Sequence, residues 1–354
     1  MKKILLAVIL ICVGVSLALA ASDEGQLASQ MSRLEEVVYG QARLGGLDAR
    51  LGAVEKDLFG RELPGSLAER SNALANFIEQ GSGDQPSLLF KLGVIEWAAA
   101  SKGGDRLAPL TKRVPELEAS LEGEAMSEKP LAMRVERLLS KVVSEPLAVQ
   151  SATLPTDTVV RAELLQDLKP ATTKKGDVIQ AVLTHDVVIE PNLLVAPRGS
   201  LLQGVVTKVK KPGIFGQPSE IRFNVDKLLP LGPDPIPLAQ GEASKKAAQF
   251  EFSYASAAGA SILGAAVLGP VGLVGGLFVR GNAKTIPAGT VFYAQTVQEQ
   301  SVQAYVVPAS LNSMLQTKFI DESAGNAGKS PAVKSGDAPK KPASKNADRE
   351  VDSL

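Results

Sequence analysis

The sequence predicts a multidomain protein of the α plus all-β type: a helical repeat half, then a β-barrel or sandwich carrying a glycine-rich helical insert. Three observations predict it. A motif near the N-terminus recurs with a period of about 20 residues and helical apolar spacing. Past about residue 156 the apolar period becomes alternating, as in strands. Within that second part a proline-glycine corner occurs twice, as Pro197-Arg198-Gly199 and Pro287-Ala288-Gly289, with an uncharged segment between the copies.

Residues 1–21, "MKKILLAVILICVGVSLALAA", join Lys2 and Lys3 to an apolar run and an Ala-Leu-Ala ending. This pattern predicts a secretory signal peptide and an exported protein of the bacterial periplasm or outer membrane. The alternative is an uncleaved inner-membrane anchor, since the run approaches the roughly 20 residues that span a bilayer. Cys12, the one cysteine, lies inside this segment, behind Ile11 where lipid attachment wants a small residue. The mature chain then holds no thiol, which excludes disulfides and cysteine catalysis. His185 in "VLTHDVV" is the one histidine, so metal binding would fall to carboxylates alone and a Ser-His-Asp triad has a single candidate. A lone histidine in a strand pattern reads as structural. We expect no cofactor, no metal and no enzymatic activity. Thirty-eight basic residues balance 38 acidic ones, so no global field draws the chain to nucleic acid.

The repeats occupy 30–80. "LEEVVYGQARLGGLDARLGA" from Leu34 aligns with "VEKDLFGRELPGSLAERSNA" from Val54, sharing Glu35/Glu55, Gly40/Gly60, Gly45/Gly65, Leu47/Leu67 and Arg50/Arg70. Leu47, Leu51 and Val54 fall at helical spacing. The pairs Tyr39-Gly40 and Phe59-Gly60 are read as helix ends, with Gly40 and Gly60 as left-handed caps. Helices this short need neighbours, whether in a coiled-coil-like hairpin or on a partner such as peptidoglycan. A degraded copy runs through Gly123, Leu131 and Arg134 with one inserted residue. The segment 86–145 stays helical, with Trp97 on an apolar face, and 146–155 reads as a linker.

The β part covers 156–310. "TVVRAELL" sets Thr158, Val160, Ala162 and Leu164 on one face; "EIRFNVDKL" does the same with Ile221, Phe223 and Val225. "GDVIQAVLTHDVVI" is more uniformly apolar, which predicts a strand covered on both faces. "QFEFSY" predicts a further strand through Phe250, Phe252 and Tyr254. At the corners, Pro197 and Pro287 fix φ while Gly199 and Gly289 take the conformation other residues avoid.

Five pieces in order, "DTVVRAELL", "GDVIQAVLTHDVV", "LLVAPRGSLLQGVV", "FGQPSEIRFNVDKLLPLG" and "IPAGTVFYAQTV", resemble the C-terminal β-barrel domain of the TrbI-like family over about 154–307. Proteins of that family are outer-membrane-side scaffolds of type IV secretion and conjugation channels. The resemblance implies a barrel, a helical insert in a membrane cap and a ring-shaped homo-oligomer. The family usually carries a cytoplasmic tail and a proline-rich spacer. The leader and helical repeat here point instead to a stand-alone envelope protein that uses the barrel.

The insert, 254–281, runs without charge from Tyr254 to Val279, long enough to cross a bilayer. Gly272 and Gly276 form a G-x-x-x-G pair, and Gly259, Gly264 and Gly269 continue a small-residue face of glycine-zipper type. Pro270 would hinge it. We expect these residues to contact the outer membrane, envelope proteins or further copies of the chain; the alternative is an insert buried over the barrel. "GLVGGLFVRGNAKT" lacks the ending of a phosphate loop. The tail, 321–354, is rich in Pro, Ser, Lys and Gly and predicts disorder. These features favour a non-enzymatic envelope scaffold. The alternatives are a soluble periplasmic binder of peptide or wall polymer and, weaker, a wall hydrolase using paired carboxylates.

Overall fold

The structure, a computed structural model, describes residues 25–82, 85–99, 107–211, 219–257, 277–281 and 285–317, with backbone alone at 252–257 and 277–281. The signal-peptide segment with Cys12, the insert residues Gly259, Gly264, Gly269, Pro270, Gly272 and Gly276, and the tail lie outside the described residues.

Six helices come first: α1 (25–39), α2 (Leu47–Phe59), α3 (Leu67–Ala75), α4 (Leu88–Ala98), α5 (Leu110–Glu122) and α6 (Leu131–Val142). Glycines stop them. Gly40, Gly60 and Gly123 hold φ of +85°, +76° and +88°, the left-handed region that releases a helix end. The third glycine of the first run, Gly81 (φ +71°), comes one residue later than the spacing of Gly40 and Gly60 would place it. The extra residue is absorbed by one π turn, Asn76–Gln80, at the end of α3. Ser66 starts α3 with a reciprocal box: its hydroxyl accepts from Glu69 N–H, and the Glu69 carboxylate accepts from Ser66 N–H.

Leu34 and Val38, then Leu51, Val54 and Leu58, then Leu74 and Ile78 turn inward and are fully buried. Each such side chain contributes roughly 1.5–3 kcal/mol on leaving water. α4, "LLFKLGVIEWA", is apolar around most of its girth and is accordingly the most enclosed helix. Its Trp97 is core, edge-on to Tyr305 at 6.2 Å between ring centres.

The strands form two antiparallel sheets. β2 (Val159–Leu164), β3 (Val178–Leu183), β6 (Leu201–Lys210), β7 (Ser219–Leu228), β8 (Ile236–Ala239) and β10 (Val291–Thr296) pair in a closed ring, β2-β3-β6-β7-β8-β10 and back to β2. This is a six-stranded barrel. β9 (Leu277–Gly281) adds to the outer edge of β7. β1 (Val149–Leu154), β11 (Gln300–Val306), β5 (Leu193–Ala196) and β4 (Val187–Ile189) make a second sheet in that order. It lies between helices and barrel. Leu194 and Tyr305 join the helical core, whereas Leu193, Val195, Val302 and Ala304 join the barrel core. The contact is tight at Gly93 on α4, where a Cβ would come within 2.6 Å of Leu231 Cδ2.

Alternation correctly orients β2, where Val160, Ala162 and Leu164 are buried, and β7, where Ile221, Phe223 and Val225 are. Four expectations need correction. "GDVIQAVLTHDVVI" is not one doubly covered strand: it breaks at Thr184–Asp186 into β3, with Val178 exposed, and β4 in the other sheet. The doubly covered strand is β5, sandwiched between two cores. The 146–155 linker contains β1, which pairs with β11 along its full length because proline brackets it but does not interrupt it. "QFEFSY" is not a strand but lies in helix α7 (Glu242–Ala257), where the helix formers "KKAAQ" precede it and the alternation is too short to compete. The last five residues of the predicted insert, finally, are β9.

Candidate functional site

One geometry occurs three times in the helical half. Glu35, Glu55 and Glu118 each stand five residues before a helix-ending glycine and are fully buried. Each accepts a backbone N–H from eight residues on: Arg43 (2.8 Å), Leu63 (3.2 Å) and Met126 (3.0 Å). Each then meets an arginine from the first turn of the following helix. Arg50 Nη2 lies 2.6 Å from Glu35, Arg70 Nη2 2.6 Å from Glu55 and Arg134 Nη2 2.6 Å from Glu118. The carboxylate therefore folds the loop and ties it to the next helix. Burial alone would raise the Glu118 carboxyl, but Arg134, the Met126 N–H and Arg137 outweigh it and hold it below the usual range. The glycine caps meet prolines: a Cβ on Gly40 would touch Pro109 at 3.3 Å, and one on Gly60 would touch Pro130 at 3.1 Å. Those prolines open α5 and α6.

The two proline-glycine corners are built alike and lie at opposite ends of the barrel. Ser200 N–H bonds Pro197 O (2.9 Å), and Thr290 N–H reaches Pro287 O (3.3 Å). Gly199 (φ +81°) donates to Leu183 O, and Gly289 (φ +80°) to Leu164 O, both at 2.7 Å. The first corner turns the chain from β5 into β6 beside the small sheet. The second launches β10 at the far end, where β2 finishes.

Asp186 ties three parts of the chain together. It is buried, and its carboxylate accepts from Trp97 Nε1 (3.2 Å) on α4, from Arg198 N (2.7 Å) and Nη1 (3.0 Å) in the first corner, and from Gln316 N (2.8 Å) after the last strand. Its neighbour His185 is buried too, and burial, with the Arg161 charge second, pushes the imidazole down to about 4. It is neutral at physiological pH. Three of the four donors fall on Asp186 Oδ2 and the Arg198 N–H on Oδ1.

The insert leaves and rejoins the barrel wall on two fixed stems. α7 starts where Ser244 N–H bonds Gln295 Oε1 (2.9 Å). Farther along, Glu251 receives Arg161 Nε and Nη2 (3.1 and 2.8 Å) and the Tyr293 hydroxyl, which clamps α7 onto the outside of β2 and β10. β9 returns in register with β7, Leu277 opposite Phe223 and Gly281 opposite Ser219. The structure thus places Pro287 and Gly289 at the insert end of the barrel, Pro197 and Gly199 at the helix-facing end, and Gly40 and Gly60 in the bundle. These residues do not converge on one site.

Sequence reasoning missed Asp186 and Glu251, whose partners are up to 130 residues distant, and the gathering of "TTKKGD" and "KVKK" at the insert end. Among the described residues no group of three or more metal-ligating side chains converges, and no helix is long and apolar enough to cross a membrane. No protein-family model matches the chain, and no curated protein matches it.

Proposed function

We propose that this chain is a non-enzymatic scaffold of the bacterial cell envelope, exported by its leader and resembling the TrbI-like barrel proteins in its β part. On this reading the uncharged segment between α7 and β9 contacts the outer membrane and joins copies of the chain into a homo-oligomer, while the bundle serves as spacer or wall-side module. The observation that carries the reading is the mounting of that segment. The uncharged run from Tyr254 to Val279 begins within α7, which the Glu251–Arg161–Tyr293 clamp holds, and ends within β9, whose five residues pair with β7, so that 19 residues join the two stems. A small-residue segment of that length between two fixed stems suits close packing in lipid or against identical neighbours. The buried carboxylates of the bundle are taken up by guanidinium partners, which favours a structural role for them over a hydrolytic one.

Deleting Ala257–Phe278 and fractionating cells tests this. The intact chain should sediment with membranes and the deleted chain should shift to the soluble periplasmic fraction. An unchanged distribution would remove the insert as an anchor and favour the soluble wall-polymer binder.

A further inference from the structure

The insert end of the barrel carries a second feature. Val178 on β3 and Val205 on β6 face each other across the strand pair and are 60% and 37% exposed. Leu165, 44% exposed, lies beside them on the same outer surface, its N–H bonded to Gln180 O (3.0 Å). Isolated apolar residues on a surface mean little; a directly opposed pair with a third exposed apolar residue on the neighbouring strand end asks for a partner.

Lysines border this patch. Gly176 N–H bonds Val206 O (2.8 Å), which sets the turn bearing Lys174 and Lys175 beside the strand end bearing Lys208, Lys210 and Lys211. All five are exposed. Among the described residues only Lys208 has an ion-pair partner, Glu220, which it shares with Arg222. The chain as a whole is neutral, so this grouping is local and belongs to one end of one domain. Lysine stems lie along apolar surface while their ammonium groups reach outward, the arrangement that suits a bilayer interface.

We infer that the insert end of the barrel docks on an anionic lipid surface, Leu165, Val178 and Val205 meeting the interface and the five lysines meeting headgroup phosphates. The inference rests on the membrane-contact reading above and adds the lipid class and the residues that choose it. A bilayer is the occupant because β9, on which the chain rejoins the barrel after the uncharged insert, runs out to this end with Gly281 opposite Ser219, and because the charge surplus is complementary to acidic headgroups. A second copy would bring the same lysines face to face and would be repelled.

The test is flotation of the purified full chain with vesicles of phosphatidylcholine alone, or of phosphatidylcholine with about one third phosphatidylglycerol. Binding should rise with phosphatidylglycerol and fall as salt is added. The variant Lys174→Gln/Lys175→Gln/Lys210→Gln/Lys211→Gln should lose about fivefold in partitioning per lysine, on the order of a hundredfold or more together. These four side chains make no ion pair among the described residues, so the variant's thermal melt should match the wild type and certify its fold. Val178→Ser/Val205→Ser should weaken binding several-fold. Equal binding to both vesicle types, or a lysine variant that binds as the wild type does, overturns the inference. Deleting Ala257–Phe278 separates it from the parent reading: charge-dependent binding should persist while insertion into neutral vesicles is lost. If no vesicle binds and Val178→Ser/Val205→Ser instead converts a dimer to a monomer, the patch serves a second copy and the inference fails.

Discussion

Replacing Arg70 by methionine tests the ion-pair turns most sharply. Arg70 donates Nε and Nη2 to the two oxygens of Glu55 at 2.9 and 2.6 Å, and Nη1 to Asp48 at 2.7 Å. Methionine keeps much of the packing volume but removes every donor, leaving the fully buried Glu55 carboxyl with the Leu63 N–H at 3.2 Å as its one remaining partner among the described residues. Stranding one partner of a buried pair costs about 3–5 kcal/mol, whereas removing both partners together is often neutral. Arg70→Met should therefore lower Tm by roughly 6–20 °C, taking about 2–4 °C per kcal/mol for a domain of this size class. Glu55→Leu/Arg70→Met should recover most of that loss. Urea titrations of wild type, both single variants and the double variant form the required cycle. A single-variant cost below about 1 kcal/mol, or a double variant as unstable as the worse single, would refute the view that the buried Glu55 depends on Arg70 as its partner.

Four other positions have outcomes of their own. His185 is neutral in the fold with its pKa near 4, against 6.5 when unfolded. The unfolded chain therefore takes up the proton first: this contribution is complete above about pH 6.5, shrinks as pH falls towards 4 and levels off below, a change of roughly 3 kcal/mol. Urea melts across that window should show a slope that His185→Asn flattens; parallel pH profiles would contradict it. The Tyr305 hydroxyl is buried and finds no hydrogen-bond partner among the described residues, and burial, helped by the Glu145 charge, pushes its phenol up to about 12. Tyr305→Phe should therefore be neutral or stabilise by up to about 1 kcal/mol in a thermal melt, and a clear loss would show that the hydroxyl is satisfied. Gly204 sits at an irregularity between β6 and β7 where a Cβ would lie 1.9 Å from Asn224 O. Gly204→Ala should cost about 1–3 kcal/mol or more, whereas Gly46→Ser, in open space at the start of α2, should be neutral or gain a few tenths.

The parts of the fold legible in the sequence are those where local pattern and tertiary position agree. Val160, Ala162 and Leu164 alternate because β2 has one face in the barrel and one outside. Gly40 and Gly60 stop helices by backbone conformation alone, which no partner need supply. The alignment of Glu35 with Glu55 and of Arg50 with Arg70 was visible as well. That each glutamate reaches the arginine of the following helix was not, since the pairing depends on how a loop closes. The reading failed where one segment serves two sheets. The residues from Gly176 to Glu190 look uniformly apolar because β3 and β4 are covered by different neighbours, and only the polar pair His185-Asp186 marks the break. Phe250, Glu251 and Phe252 imitate a strand for three residues, while Glu251 acts as a helix clamp to Arg161, 90 residues earlier. At the insert end the lysines were plain in the sequence, but their meeting across β3 and β6 depends on strand order.

The polarity of the molecule on a membrane is the most direct test of the account. Position 205 lies on the insert end of the barrel, and Leu44, fully exposed, lies in the helical half. In a Cys12→Ala background, Val205→Cys and Leu44→Cys each offer one thiol for an environment-sensitive fluorophore. With phosphatidylglycerol-containing vesicles, the probe at 205 should shift to the blue and be quenched by lipid-borne nitroxide, while the probe at 44 stays unchanged. A silent probe at 205, or a response at 44 instead, would contradict the placement of the barrel's insert end against lipid.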